Sequence, residues 1–330
     1  MTDHKQHPLG SGFTKASTAD EVLRGIDLTG KNVIITGGSG RLGLETTRAL
    51  RSAGATVTVT ARDPKRPTAA FPHLPGVEVG ELDLLDPASI QKFATRWLDS
   101  GRPLHILINT AASPLHAHVV RDPRGYEAQF ATDHLGHFQL TLGLLPALRA
   151  ARGARVVSLS SGAQRMSDIR WEDLHFTFGY EPGAAYAQAK AANVLFAVEL
   201  DHRWAADGIR GYAVHPGVIV SAAPVGSESY DQLRAQGLLD ESGEPINRPD
   251  TGRKTVQQGA ATIVFAATSP LLADIGGVYL KDSDVSPLVA EELPMTFDPD
   301  QDIPAEAAPH SVDPESARRL WELSEQLLKA

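Results

Sequence analysis

Tyr186 and Lys190, in the run Tyr186-Ala187-Gln188-Ala189-Lys190, are spaced for proton transfer. Four residues is about one helical turn, so a phenol and an ammonium project side by side from one face. A free phenol titrates near ~10, too high for exchange at neutral pH, and a neighbouring cation stabilises the phenolate. Upstream, Arg155-Val156-Val157-Ser158-Leu159-Ser160-Ser161-Gly162 has the composition of a buried strand that ends in hydroxyls, from which a third group could meet the phenol. A second centre lies in Val33-Ile34-Ile35-Thr36-Gly37-Gly38-Ser39-Gly40-Arg41-Leu42-Gly43, where an apolar run ends in a glycine cluster and opens onto the helix-forming Leu44-Glu45-Thr46-Thr47-Arg48-Ala49-Leu50. Backbone N–H groups at a helix start are unpaired and partly positive, and glycines let a phosphate approach them. The bare Gly38-x-Gly40-x-x-Gly43 pattern says little in a chain with 29 glycines. The strand before it and the helical spacing after it make it a dinucleotide site.

Both centres need a scaffold, and the chain supplies one. Strand signals at Asn32 to Thr36, Ala55 to Thr60, Val77 to Glu81, His105 to Thr110, Ala154 to Ser160, Ile209 to His215 and Gly277 to Leu280 alternate with helical segments around 42–53, 87–99, 124–150, 184–206 and 254–268. Such alternation predicts right-handed crossovers and a parallel sheet covered on both faces. The expected fold is one doubly wound α/β domain of Rossmann type, residues 30–290, with a seven-stranded parallel sheet. Residues 1–29 form a polar arm laid on the surface. The glycine- and proline-bearing segment 222–250 is placed to be a lid over the sheet's carboxyl edge. Residues 291–330 are an acidic, proline-rich linker and a final helix that Asp313 caps and Pro314 starts, with Leu320, Leu323 and Leu327 on one stripe. That helix reads as a packing element, with a homodimer contact as the other reading.

The composition narrows the function. The chain has 330 residues, 42% of them hydrophobic, and no cysteine, which removes disulfides, thiolate metal sites and cysteine nucleophiles together. A net charge of −9 argues against nucleic acid or an anionic membrane as partner, leaving a small-molecule substrate. The amino end lacks an apolar leader and no run approaches ~18 apolar residues, so the expected location is cytoplasmic. Asp133, His134 and His137 have metal-ligand types, but no third-site spacing supports zinc, and no metal is expected.

The ordered set of motifs resembles the short-chain dehydrogenase/reductase superfamily, in the branch similar to retinol dehydrogenases and the WW-domain-containing oxidoreductase. It takes in the glycine loop with Leu44-Glu45-Thr46, Ala61-Arg62-Asp63, Leu82-Asp83-Leu84, Ile106-Leu107-Ile108-Asn109, His134-Leu135-Gly136-His137-Phe138, Ser160-Ser161, Trp171-Glu172-Asp173-Leu174, Tyr186-x-x-x-Lys190, His215-Pro216-Gly217, Gln258-Gly259-Ala260 and Leu320-Trp321-Glu322. The resemblance implies that Tyr186 is the general acid or base, that Lys190 supports it and holds the nicotinamide ribose, and that Ser161 hydrogen-bonds the reacting oxygen. It implies an NAD(P) cofactor held by Gly37, Ser39, Gly40, Arg41, Leu42 and Gly43. Asp83 and Leu84 would lie at the adenine, Asn109 and Ala111 along the adenosine, and Pro216, Gly217 and Val218 at the nicotinamide. An acidic residue at the end of the second strand would favour NAD, whereas Arg62 can clamp a 2′-phosphate and Arg41 adds a second cation, so NADP is expected over NAD.

Four positions depart from the family pattern. Arg41 stands where a glycine is usual, with the glycine shifted to Gly40. Asp133 replaces an asparagine that supports the active-site lysine; its carbonyl can still do so, while its carboxylate can pair with Lys190 and offset the lysine's effect. Asn109-Thr110-Ala111-Ala112 replaces Asn-Asn-Ala-Gly, and Ser221-Ala222-Ala223 stands where a threonine is expected. The expected activity is interconversion of a ketone or aldehyde with an alcohol on a fairly apolar molecule. A non-redox reaction on the same fold (an epimerisation, elimination or cyclisation), in which Asp133 or Tyr186 moves protons only, and a nucleotide-binding regulatory protein are the alternatives.

Overall fold

The computed structural model describes residues 5–64, 76–289 and 301–329; residues 1–4 of the arm and 290–300, which include the start of the expected linker, lie outside the described residues. Among the described residues, eight strands form one sheet in the order β3-β2-β1-β4-β5-β6-β7-β8. They are β1 Asn32–Thr36, β2 Thr56–Ala61, β3 Glu78–Glu81, β4 Ile106–Asn109, β5 Ala154–Leu159, β6 Ile209–His215, β7 Val278–Lys281 and β8 Asp284–Val285. The first seven pair in parallel, with Ile35 opposite both Val59 and Ile108. Successive side chains in a strand point to opposite faces, so Val33, Ile35, Ile106 and Ile108 join one core with Leu50, Ile263 and Phe265. Ile34, Leu107 and Val156 join the other with Phe93, Phe138, Phe196 and Trp321. Apolar residues on both faces of every central strand are what a sheet covered by helices on both sides requires.

Because β1 lies between β2 and β4, the chain reverses its direction of winding there, and a crevice opens at the carboxyl ends of β1 and β4. The eighth strand is antiparallel and was not foreseen. Its two-residue turn places Asp282 at φ 53° and Ser283 at φ 59°, a left-handed pair that glycine usually fills, so the sequence lacks the common hairpin cue. The N-terminal arm caps this edge: the Gln6 amide donates to the Tyr279 and Ser286 carbonyls and accepts from the Tyr279 N–H. The Asp284 carboxylate accepts from the amides of Leu9, Gly10 and Ser11. The arm also contains a helical turn, Ala19–Val22, with a Thr18 and Glu21 capping box.

The helix expected over 124–150 is broken instead. Residues Phe130–Gly136 form a π-helical stretch, followed by α-helices His137–Gly143 and Leu145–Ala150. Pro146, lacking an N–H, accounts for the second break. The long helix Pro182–Trp204 and the final helix Pro314–Leu327 form as expected, the latter with Asp313 accepting from the Ser316 amide at 2.7 Å. The segment 222–250 contains the helix Glu228–Ala235, and Leu238 and Leu239 are buried, while Ala222, Pro224 and Val225 are exposed.

Among the described residues, three histidines are buried in this framework. Burial holds the rings of His134 and His215 at about 3 and that of His137 at about 4, the nearby cations and His137 adding to the effect. The unfolded chain takes up these protons below ~6.5 and the folded chain does not, so stability falls as pH drops from ~6.5 toward ~4. Each histidine contributes about 1.4 kcal/mol per pH unit over that window. Denaturant unfolding at pH 7.5, 6 and 5 should show this decline, and a flat profile would contradict neutral burial.

Candidate active site

The loop between β1 and the helix Arg41–Ser52 is shaped by close approach. A Cβ on Gly43 would stand 2.4 Å from the Gly37 carbonyl oxygen, and one on Gly37, at φ +65°, would stand 2.8 Å from Ala111 Cα. Gly40 is the residue preceding the helix and caps it with no side chain, so the first-turn N–H groups face outward without a protein acceptor from the cap. Together with Gly37, Ser39, Arg62, Asp83, Leu84 and Ala111 it lines a cleft of about 730 Å³ at the crevice between β1 and β4. A helix end receptive to anions therefore stands beside a cavity.

The other expected cofactor residues sit on neighbouring elements. Leu42 and Gly43 lie in the helix's first turn, and Asn109 is buried behind the wall, its amide donating to Ser158 Oγ at 3.4 Å. One Asp83 oxygen accepts from the Leu85 amide. Arg62 is exposed just past the end of β2, with Thr60 and Ala61 beside it in the lining. Arg41 donates to the Val220 carbonyl and to Ser221 Oγ at 2.7 Å. It thereby joins the glycine loop to the loop after β6. Pro216, Gly217 and Val218 belong to that loop, which is held by Val218 N–H to Gly252 O and Lys254 N–H to Val218 O, both 2.9 Å.

Tyr186 and Lys190 share the face of the long helix Pro182–Trp204, with the Lys190 ammonium 5.2 Å from the centre of the Tyr186 ring. Tyr186 is half-buried, whereas Lys190 is 2% exposed. Ser160 Oγ donates to the Lys190 carbonyl and Asn193 to the Leu159 carbonyl, so the helix is bolted to the end of β5. Ser161, at the end of that strand, accepts the Ala163 amide at 3.2 Å and caps the turn Gly162–Arg165.

Asp133 pairs directly with Lys190, Oδ2 to Nζ at 2.8 Å, both side chains withdrawn from water. Its other oxygen accepts the Ser113 amide at 2.7 Å. Burial pushes the Lys190 ammonium toward neutrality, but the charges of Asp133 and Tyr186 and the hydrogen bond to Asp133 outweigh it and leave its pKa above the usual lysine value. The π-helical stretch brings Asp133 to this position. His137 stabilises the stretch: its Nδ1 faces the Asp133 carbonyl at 2.9 Å and must carry the proton, so Nε2 accepts from the Thr36 hydroxyl at 2.8 Å. Thr36 Oγ1 in turn accepts the amides of Thr110 and Ala111. One chain of bonds therefore links the carboxyl ends of β1 and β4 to Asp133 and Lys190.

His137 was legible as a residue of metal-ligand type and as part of a family motif; nothing in its spacing pointed to Thr36. His134, three residues earlier, bonds Ser324 of the final helix at 2.8 Å. Lys254, buried and paired with Asp282 at 2.6 Å, had no sequence signal. Glu306 was likewise unforeseen; its carboxylate accepts from Arg165 at 2.8 Å and Lys281 at 2.6 Å.

Fold and site define a class of protein, and comparison with known sequences agrees: the profile of the short chain dehydrogenase family matches residues 31–230, and the chain belongs to that family. It is 41% identical to a probable oxidoreductase of Streptomyces antibioticus, over 92% of this chain and 100% of that one. It is 34% identical to human (Homo sapiens) retinol dehydrogenase 12, over 92% and 88%. An uncharacterized protein from Mycobacterium paratuberculosis superposes with a TM-score of 0.69 at 31% identity, over 96% and 98% of the two chains. The chain is an oxidoreductase by this membership, and the family implies a nicotinamide cofactor, NAD or NADP. No helix among the described residues is long and apolar enough to cross a membrane.

Removing one member of the buried pair leaves the other charge uncompensated, at a cost of about 3–5 kcal/mol. Asp133→Ala and Lys190→Met should each lose stability on that scale in denaturant unfolding, while the double variant loses clearly less than their sum. Simple additivity would show that the two charges are not coupled.

Proposed function

We propose that the protein is an NADP(H)-dependent oxidoreductase that interconverts a ketone or aldehyde with an alcohol on a fairly apolar small molecule. The observation that carries this reading is the Tyr186 phenol with the Lys190 ammonium 5.2 Å from its ring centre, at the same sheet edge as the glycine-loop cleft. In reduction Tyr186 gives its proton to the carbonyl oxygen, and in oxidation the phenolate takes it back. Ser161 Oγ already accepts an amide from Ala163, which leaves its own hydrogen to donate to the reacting oxygen. Lys190 spends one ammonium proton on Asp133 and keeps others for the phenol and for a ribose hydroxyl. Asp133 holds the ammonium in place and offsets part of its charge. A bound nicotinamide dinucleotide supplies the hydride.

The cofactor preference rests on Arg62, an exposed cation at the cleft wall where the ribose edge of a dinucleotide would lie. Thr60 and Ala61 bring no carboxylate to repel a 2′-phosphate, and the carboxylate that directly follows Arg62 in the chain, that of Asp63, is also in the lining. With Arg41 engaged by Val220 and Ser221, Arg62 carries the phosphate contact alone. An apolar substrate is supported by the name of the retinol dehydrogenase relative and by Leu115 and Phe178, which are 65% and 79% exposed. They lie on loops joined by the Tyr180 hydroxyl, which donates to the His116 carbonyl at 3.3 Å.

A panel of ketones and aldehydes should consume NADPH, read by its absorbance. Tyr186→Phe should lower turnover by about 10²-fold or more, and turnover that survives the change would refute the mechanism. Arg62→Ala should weaken NADPH binding by about tenfold or more, the scale of a charge-assisted contact, and leave NADH nearly unchanged. Equal loss for the two cofactors would overturn the NADP preference.

A further inference from the structure

Ser161 sits on a short turn, Gly162–Arg165, whose position decides where its hydroxyl points. From the sheet side this turn is held by His215, whose Nδ1 accepts the Gly162 amide at 3.1 Å. From the other side it is held by residues 301–312, a strap that leads into the final helix and lies wholly outside the 31–230 region matched by the family profile.

The contact is dense. A Cβ on Gly162 would meet the Pro304 carbonyl oxygen at 3.0 Å, so the strap backbone lies directly against the residue after Ser161. Gln164 is fully buried; its side chain donates to the Glu306 carbonyl at 2.6 Å and accepts the Ala308 amide at 3.2 Å. Its own carbonyl accepts from His310 and Ser311. The Glu306 carboxylate then binds two cations at once, Arg165 of the turn at 2.8 Å and Lys281 of β7 at 2.6 Å. Burial works against ionisation of Glu306, but Lys281 and Arg165 outweigh it and hold the carboxyl below its usual range. The same strap reaches the end of the 222–250 segment: Ile303 N–H donates to the Thr251 carbonyl, and Arg253 donates to the Gln301 carbonyl.

We propose that Glu306 is a positioning residue for Ser161: by tying Arg165 to Lys281 it fixes the strap against the turn and so sets the serine hydroxyl. The proposal rests on the role given above to Ser161. Two independent readouts test it in the full-length protein. Glu306→Gln keeps the size of the side chain but removes its charge and replaces one acceptor oxygen with a donor, and Lys281→Gln releases the same carboxylate from the β7 side. Amide hydrogen exchange across 162–166 should quicken by about tenfold in Glu306→Gln while the glycine-loop helix 41–52 is unchanged. On a turned-over carbonyl, kcat should fall by about tenfold with NADPH affinity unchanged, and Ser161→Ala/Glu306→Gln should be no worse than Ser161→Ala, because both changes remove one function. A role in stability alone would give losses that multiply, and that result, or unaltered exchange in the turn, overturns the proposal. If the wild-type protein turns over no carbonyl, the reading of the site fails while the exchange measurement still decides the strap. Should Glu306→Gln not fold, Lys281→Gln carries the same two tests.

Discussion

Lys190 and Asp133 are charges taken out of water in the middle of the molecule, and neither is tolerable there without the other. Much of the surrounding backbone is arranged to keep them 2.8 Å apart. An uninterrupted α-helix over 124–150 does not form; the chain adopts a π-helical stretch at Phe130–Gly136, where Asp133 meets Lys190 and the Ser113 amide. Single π turns inside helices are costly and occur where a site needs them. His137 ties that stretch to Thr36, and Thr36 to Thr110 and Ala111, so the carboxyl ends of β1 and β4 are joined by hydrogen bonds to the Asp133 and Lys190 pair.

Around this network the chain is closed by its own ends. The N-terminal arm covers the β7–β8 edge through Gln6 and Asp284. The C-terminal helix inserts Trp321 among Phe138, Phe196 and Trp204 and offers Ser324 to His134. The back of the π-helical stretch is thus packed by residues nearly 200 positions away in sequence. Both ends lie outside residues 31–230, the region that the family profile matches, and the C-terminal helix packs on the stretch that holds Asp133.

Most of the sheet was legible because its signals are local. β1 and β6 fall on the expected residues, the helices 87–99 and 314–327 start at their Asp caps with proline behind, and the two-sided apolar runs of the central strands declare a parallel sheet. The eighth strand was missed because Asp282 and Ser283 take left-handed conformations without glycine. The break in helix 124–150 had one visible cause in Pro146 and one invisible cause in the pairing of Asp133. Within the site, the Tyr186 and Lys190 spacing and the glycine loop were readable from period and residue type. The partners of Arg41, His134, His137 and Glu306 were not.

Periodicity, capping and the steric demands of glycine act over a few residues, and they were enough to read out the winding of the sheet, the helix that carries Tyr186 and Lys190, and the loop that opens on the crevice. A substitution such as Asp133 could be recognised as unusual from its position, but whether its carboxylate meets Lys190 depends on a distance between two helices. Arg41 reads as a free cation in the chain and is a bridge to Ser221 once β6 is folded beside it. Glu306 reads as one acid in an acidic tail and becomes the link between Arg165 and Lys281. Ion pairs and buried hydrogen bonds join residues far apart in sequence, and only the packed chain brings their atoms within the few ångströms over which they act.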